Sequence, residues 1–186
     1  SDEFNPEDFY ADEDVVITIS HLGYIKRTSL SEFHVQSRGG TGKKASATRD
    51  EDFIEHIYVA NMHSTMLFFT EKGMCYRLKV YEIPEGTRTS KGRAVQNILN
   101  IDQDDKIRTY LNAAKIESEE YTNSHYVVLV TRRGIIKRTC LSEFANYRSR
   151  NKGLIAISFK DGDSLLDALL TSGSDEIMIA GRDGRC

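Results

Sequence analysis

The chain has 186 residues, 39% of them apolar and 28% charged, with two prolines, a balance that lets an ordinary globular domain bury a core. No apolar run nears the roughly 18 residues of a membrane-spanning helix, and seven acids within residues 2–14 stand where a secretory signal would be basic, so membrane insertion and secretion are disfavoured. Cys75, Cys140 and Cys186 show no C-x-x-C spacing, which offers neither a zinc site nor a disulfide framework and fits a reducing cytoplasm.

Residues 1–13 read as a solvated acidic linker with little to bury. From Val16 to Phe33, apolar and β-branched residues flank a short polar turn ending at Gly23, the pattern of a hairpin whose glycine takes the left-handed conformation. A strand is expected at Ile54 to Ala60. A divergent second hairpin follows from Leu67 to Ile83 around Gly73, then a strand at Val95 to Ile101. The polar stretch Glu117 to His125 lengthens one connection. The third hairpin, Val128 to Phe144 around Gly134, repeats the first: of nine residues from Ile25 to Phe33, eight recur between Ile136 and Phe144. Strands are expected at Leu154 to Phe159 and Leu165 to Leu170, the latter by its place in the repeat. A truncated fourth copy begins at Ile177 and stops two residues after Gly184, as a piece of a longer protein would.

The turn glycines lie 50, 61 and 50 residues apart, and a second glycine follows each of the first three by 19 (Gly42, Gly92, Gly153). Roughly four short strands per unit of about 50 residues is the signature of a propeller-like array of blades. The expected fold is all-β, with four-stranded antiparallel blades over repeats of about 14–63, 64–124 and 125–174 and a partial blade at 175–186.

The net charge is −3, but it is segregated: residues 21–49 hold six Lys or Arg against one acid, residues 72–93 six against two, and residues 132–153 seven against one. Equivalent basic positions on successive blades would fall on one rim and form a curved band suited to a bent polyanion such as duplex DNA, bound through its phosphates without reading base sequence. The candidate contacts are Lys26, Arg27, Arg38, Lys43, Lys44 and Arg49 in the first repeat. Arg77, Lys79, Lys91 and Arg93 follow in the second, and Arg132, Arg133, Lys137, Arg138, Arg148, Arg150 and Lys152 in the third. Isolated exposed cations also serve solubility and edge protection; recurrence in register favours binding.

The most distinctive segment is Gln36-Ser-Arg-Gly-Gly-Thr-Gly-Lys-Lys44, whose glycines permit close backbone approach and whose cations suit phosphate oxygens. It lacks the spacing of a nucleotide-binding P-loop. It resembles the GyrA box, Q-[RK]-R-G-G-[RK]-G, of the C-terminal domain of the DNA gyrase A subunit: Gln36, Arg38, Gly39, Gly40 and Gly42 match, while Ser37 and Thr41 replace usual basic residues. Val16 to Arg27, Ser46 to Phe53 and Leu78 to Pro84 also resemble that family, so the likeness covers residues 14–186.

The resemblance implies a β-pinwheel, with strand exchange between neighbouring blades, that wraps duplex DNA and supports ATP-dependent negative supercoiling by a bacterial, cytoplasmic, nucleoid-associated type II topoisomerase. It implies partners in the gyrase B subunit and the rest of the gyrase A subunit, as an A2B2 holoenzyme. ATP and Mg²⁺ would be bound elsewhere, with no cofactor, metal or catalytic residue in this segment. The related subunit of topoisomerase IV, whose box is degraded or absent, is the nearest alternative; a propeller used as a protein-interaction scaffold is another. A propeller enzyme lacks a convergent polar constellation, and the five histidines show no ligand spacing.

Overall fold

The computed structural model describes residues 5–33, 51–145, 152–160 and 162–172. Its strands are β1 (Asp14–Ser20), β2 (Tyr24–Ser29), β3 (Ile54–Asn61), β4 (Thr65–Thr70), β5 (Met74–Lys79), β6 (Arg93–Ala94), β7 (Ile107–Ala113), β8 (His125–Thr131), β9 (Ile136–Cys140), β10 (Leu154–Ile155) and β11 (Leu165–Ser172). They form three antiparallel sheets ordered β3-β1-β2-β6, β10-β5-β4-β7 and, among the described residues, β11-β8-β9. Two compact units result: residues 1–64 with 79–98 carry the first sheet, and residues 65–78 with 99–186 carry the other two.

Each sheet is built on one of the hairpins read from the sequence. Gly23, Gly73 and Gly134 have φ of 89°, 91° and 88°, the left-handed conformation that closes a tight turn. Each turn's first residue accepts the glycine amide: Ser20, Thr70 and Thr131 carbonyls take Gly23, Gly73 and Gly134 N–H at 2.9, 3.0 and 3.0 Å. Their hydroxyls accept the amides of Tyr24, Met74 and Ile135, each at 3.0 Å. The following connection then returns a strand to the other side of the hairpin: β3 pairs with β1, β7 with β4 and β11 with β8.

The fourth strand comes from the next repeat. β6 pairs with β2, placing Ile25 opposite Arg93, and β10 pairs with β5, placing Cys75 opposite Leu154. Equivalent bonds anchor both, from Val95 N–H to the Gly23 carbonyl (2.9 Å) and from Ala156 N–H to the Gly73 carbonyl (2.8 Å). These strands are only two residues long, so most of Leu154 to Phe159 is not strand. The expected strand at Val95 to Ile101 is also corrected: Val95–Leu99 is a short helix that buries Val95 and Leu99, four residues apart, and exposes Gln96 and Asn97. Apolar residues at i and i+4 are helical periodicity, which the expectation of a strand overrode.

In the first unit, the run from Val15 to Ile19 is buried without a break, Ile25 lies opposite Ile19 and Ala60 opposite Val15, and Val80 is buried as well. In the second, Leu67, Phe69, Val127, Leu129, Leu141, Phe144 and Leu165 form one apolar cluster, with the Phe69 and Phe144 rings edge to face at 5.7 Å. Full burial of such side chains stabilises by about 1.5–3 kcal/mol each.

The N-terminal acidic segment is docked on the first unit. A 3₁₀ turn spans Pro6–Phe9, Tyr10 stacks on Tyr81 at 4.6 Å, the Met62 amide donates to the Glu13 carbonyl, and Asn61 donates to Asp12. Glu7 pairs with Lys79 at 3.0 Å. Two tyrosines and a half-buried lysine give residues 5–13 something to pack against, which their own composition did not disclose.

Candidate nucleic-acid interface

Three acids, one in the connection that follows each hairpin, have a shared local task. Asp52 Oδ1 accepts the amides of Leu22 and Phe53 at 2.9 and 3.0 Å. Asp105 Oδ1 does the same for Lys72 and Lys106 at 3.1 and 2.9 Å. Asp163 Oδ1 does so for Arg133 and Ser164 at 3.1 and 2.8 Å. One aspartate thus ties each hairpin turn to the connection that follows it. Burial works to raise the Asp52 and Asp163 carboxyls, but the neighbouring hydroxyl and amide donors outweigh it and hold both below their ordinary value, helped by His21 beside Asp52 and Arg133 beside Asp163.

Several of the expected basic contacts are turned inward. Lys26, 8% exposed, donates its ammonium to the carbonyls of Thr87, Arg88 and Ser90 at 2.8, 3.3 and 2.6 Å. Arg27 Nε donates to the Ile83 carbonyl at 2.8 Å, and Arg77, at the equivalent position of the second hairpin, donates from Nη1 to the Ala145 carbonyl at 2.9 Å. Lys79 donates to Glu7 and to the His63 carbonyl at 3.0 and 3.1 Å. Lys26, Arg27 and Arg77 thus fasten their hairpins to chain that arrives later, whereas Lys79 ties its hairpin to chain that precedes it. Arg27 and Arg77, which recur in register, both serve packing between repeats, and Lys26 is buried.

Other cations face solvent. In the first unit, Lys91 lies 4.2 Å above the Tyr24 ring, and Arg93 is exposed on β6. In the second unit, Arg138 lies 4.3 Å above the Tyr126 ring, and Lys137 reaches the Ala156 carbonyl at 3.3 Å. Both line a cavity of about 420 Å³ along β9 with Glu143, Phe144, Leu154 and Ile155. Arg133 and Lys152 are exposed, whereas Arg132 sits 3.8 Å from Glu71, which also draws Lys106 and Arg108. Gln36, Arg38, Gly39, Gly40, Gly42, Lys43, Lys44, Arg49, Arg148 and Arg150 lie outside the described residues.

The structure adds Arg88, which the sequence reading did not single out. It is exposed in the turn closed over Lys26, with its amide 3.3 Å from Glu32 Oε1. Register could have found it, because Arg88 precedes Gly92 by the same four residues that separate Arg38 from Gly42. Residues 86–94 are the second repeat's counterpart of the glycine-rich stretch. Among the described residues, no group of three or more His, Cys, Asp or Glu is placed to hold a metal ion, and no helix is long and apolar enough to cross a membrane.

Antiparallel sheets built on repeated hairpins, the first two each borrowing a short strand from the next repeat, define a propeller-type array with cations on its exposed turns and strands. The family model of the DNA gyrase C-terminal domain, a β-propeller, matches residues 14–61, 64–109 and 125–172, and the chain belongs to that family. A similar protein is the DNA gyrase A subunit of Halalkalibacterium halodurans, 46% identical over 183 residues, which are 98% of this chain and 21% of that protein. The chain thus spans about a fifth of the length of the curated relatives it matches. Among solved structures, the C-terminal domain of a DNA topoisomerase IV superposes with a TM-score of 0.69 at 31% identity, covering 87% of this chain and 46% of that one. A DNA gyrase A C-terminal domain gives 0.61 at 26% identity, covering 86% and 48%.

Proposed function

We propose that this chain binds duplex DNA through its exposed cations and bends it, as part of a gyrase A subunit working with the gyrase B subunit in an A2B2 holoenzyme. In that reading, the wrap presents a neighbouring DNA segment to a cleavage gate elsewhere in the holoenzyme. ATP-driven strand passage, with ATP and Mg²⁺ held in other domains, then introduces negative supercoils; the segment itself performs no chemistry, and the setting is the bacterial cytoplasm and nucleoid. The carrying observation is the family match together with cations left at the surface in both units: Arg88, Lys91 and Arg93 in one, and Arg133, Lys137, Arg138 and Lys152 in the other. The matching residues of the glycine-rich stretch, from Gln36 to Lys44, and Arg49, Arg148 and Arg150 are proposed to join them. Lys26, Arg27, Arg77 and Lys79 are assigned to holding the fold.

Binding of this kind releases counterions, so log K falls against log salt by about 0.9 for each phosphate neutralised. Titration of a labelled duplex of arbitrary sequence at several salt concentrations tests the reading. A slope of several units, the same for unrelated sequences, is expected; affinity independent of salt would refute it. The TM-score to a topoisomerase IV domain supports a second reading, in which the chain is part of that enzyme, and duplex binding without a constrained wrap is the distinguishing result.

A further inference from the structure

We propose that Lys26 is a positioning residue for DNA binding: its enclosed ammonium shapes the Thr87–Lys91 turn so that Arg88, Lys91 and Arg93 are presented together to phosphates. The proposal rests on the DNA-binding reading above and concerns how the first unit achieves it.

The ammonium has three N–H donors, and three carbonyls of one turn, those of Thr87, Arg88 and Ser90, converge on it at 2.6–3.3 Å. Convergent carbonyl dipoles repel one another, and the ammonium between them offsets that repulsion, while the Thr87 carbonyl also accepts the Ser90 amide and hydroxyl at 3.3 and 3.1 Å. Burial pushes the Lys26 ammonium toward the neutral form, and Glu32 acts against that push. The stem of Lys26 is as closely enclosed as its head. A Cβ on Gly86 would lie 2.9 Å from its Cδ, and one on Gly92 would lie 3.1 Å from its Cβ, so glycine at both places lets the turn close over the lysine. Gly92 also has φ of 86° and no room for a Cβ against the Ile25 carbonyl.

The turn is further tied across itself. Thr87 N–H donates to Ser90 Oγ at 2.9 Å, and Ser90 N–H donates to Thr87 Oγ1 at 3.2 Å. With its carbonyls drawn inward, the turn leaves Thr87, Arg88 and Thr89 exposed. Lys91 is steadied on the Tyr24 ring, and Arg93 is fixed by β6 pairing with β2. Tyr76 stands at the Lys26 position of the second hairpin, beneath Gly153, but carries no ammonium, and Lys137, at that position of the third, is exposed and reaches one carbonyl, that of Ala156; among the described residues the three-carbonyl arrangement is found at Lys26.

Two measurements on the 186-residue chain decide the matter. Amine acylation with and without a duplex, read by mass spectrometry, should find Lys26 unreactive in both states and Lys91 reactive when free and protected by DNA. A Lys26 that reacts when free and is shielded by DNA is a direct contact, and an unprotected Lys91 takes the turn off the DNA; either result overturns the proposal. Lys26→Met is then compared with the triple variant Arg88→Gln/Lys91→Gln/Arg93→Gln and with their combination. The triple variant should flatten the salt slope by up to about 2.7, three phosphates at about 0.9 each. Lys26→Met alone should flatten it by about two or more, and the combination should add little. A change near 0.9 that adds to the triple variant, or no change at all, overturns the positioning role. If Lys26→Met does not fold, the acylation result decides. Absence of any duplex binding by the unaltered chain would instead refute the reading on which the proposal rests.

Discussion

Removing the three turn-capping aspartates one at a time separates hydrogen bonding from burial, because their geometry is nearly identical and their exposure is not. Asp105 is 5% exposed, whereas Asp52 and Asp163 are only partly buried. Each carboxylate accepts two amides through Oδ1. A hydrogen bond to a charged group contributes about 1.5–3 kcal/mol where water cannot replace it, and less where it can. Asp105→Ala removes the acceptor of two part-buried amide bonds, so a loss of about 3 kcal/mol is expected; the bonds lost in Asp52→Ala are exposed and water replaces them, so about 1 kcal/mol is expected. Asp163→Ala should fall well below Asp105→Ala. Urea unfolding followed by circular dichroism gives the ranking, with Asp105→Asn as the control that keeps an acceptor in place. Equal losses at Asp52 and Asp105, or a larger loss at Asp52, would refute the argument that burial sets the strength of the cap.

The same caps set an acid limit. Because the Asp52 and Asp163 carboxyls are held below their ordinary value, their contribution is complete above the ordinary carboxylate range and is lost as pH falls through the depressed values. Asp52→Asn/Asp163→Asn should therefore flatten the acid side of a stability-versus-pH curve and leave its neutral side parallel to that of the unaltered chain. Gly73→Ala and Gly134→Ala carry nearly the same φ, yet a Cβ at Gly73 meets the Ile157 carbonyl and the Phe159 ring, while one at Gly134 meets nothing within 4 Å among the described residues. The second should cost about 1–2 kcal/mol of backbone strain and the first clearly more, by the same urea assay. Burial pushes the Cys75 thiol far up, so a thiol reagent should label it in the native chain no faster than the core opens, and labelling at the rate of an exposed cysteine would contradict its placement. Arg77→Met should lower stability while leaving the salt slope of duplex binding within about half a unit, since its guanidinium is engaged with the Ala145 carbonyl.

The hairpins were legible because glycine chemistry and β-branched alternation are local: Gly23, Gly73 and Gly134 stand where the turns are, and Leu165–Ser172 is a strand as its repeat position implied. What local pattern could not give was the destination of side chains whose partners lie far away in sequence. Lys26 and Arg27 read as a basic rim, but their partners are 56–64 residues downstream, so the recurrence records strand exchange as much as binding. The acidic segment misled for the same reason, since Tyr10 finds Tyr81 and Glu7 finds Lys79 only in the fold. Val95 to Ile101 failed differently: Val95 and Leu99 at helical spacing were a local signal, outweighed by the expectation of a fourth strand that only Arg93 and Ala94 supply. Of the candidate site, the exposed members Lys91, Arg93, Arg133, Lys137, Arg138 and Lys152 were readable as charge, while Arg88 was readable only by aligning its turn with the glycine-rich stretch.

The central claim, that the chain bends DNA as well as binding it, is tested most directly by ligation topology. The chain is titrated onto nicked circular plasmid, the nick is sealed, protein is removed, and the linking-number distribution is compared with that of a protein-free control. A distribution that shifts in one direction with increasing protein is the expected result, because a wrap of fixed hand changes linking number when the circle closes. A distribution that stays on the control while duplex binding is saturated would contradict the account.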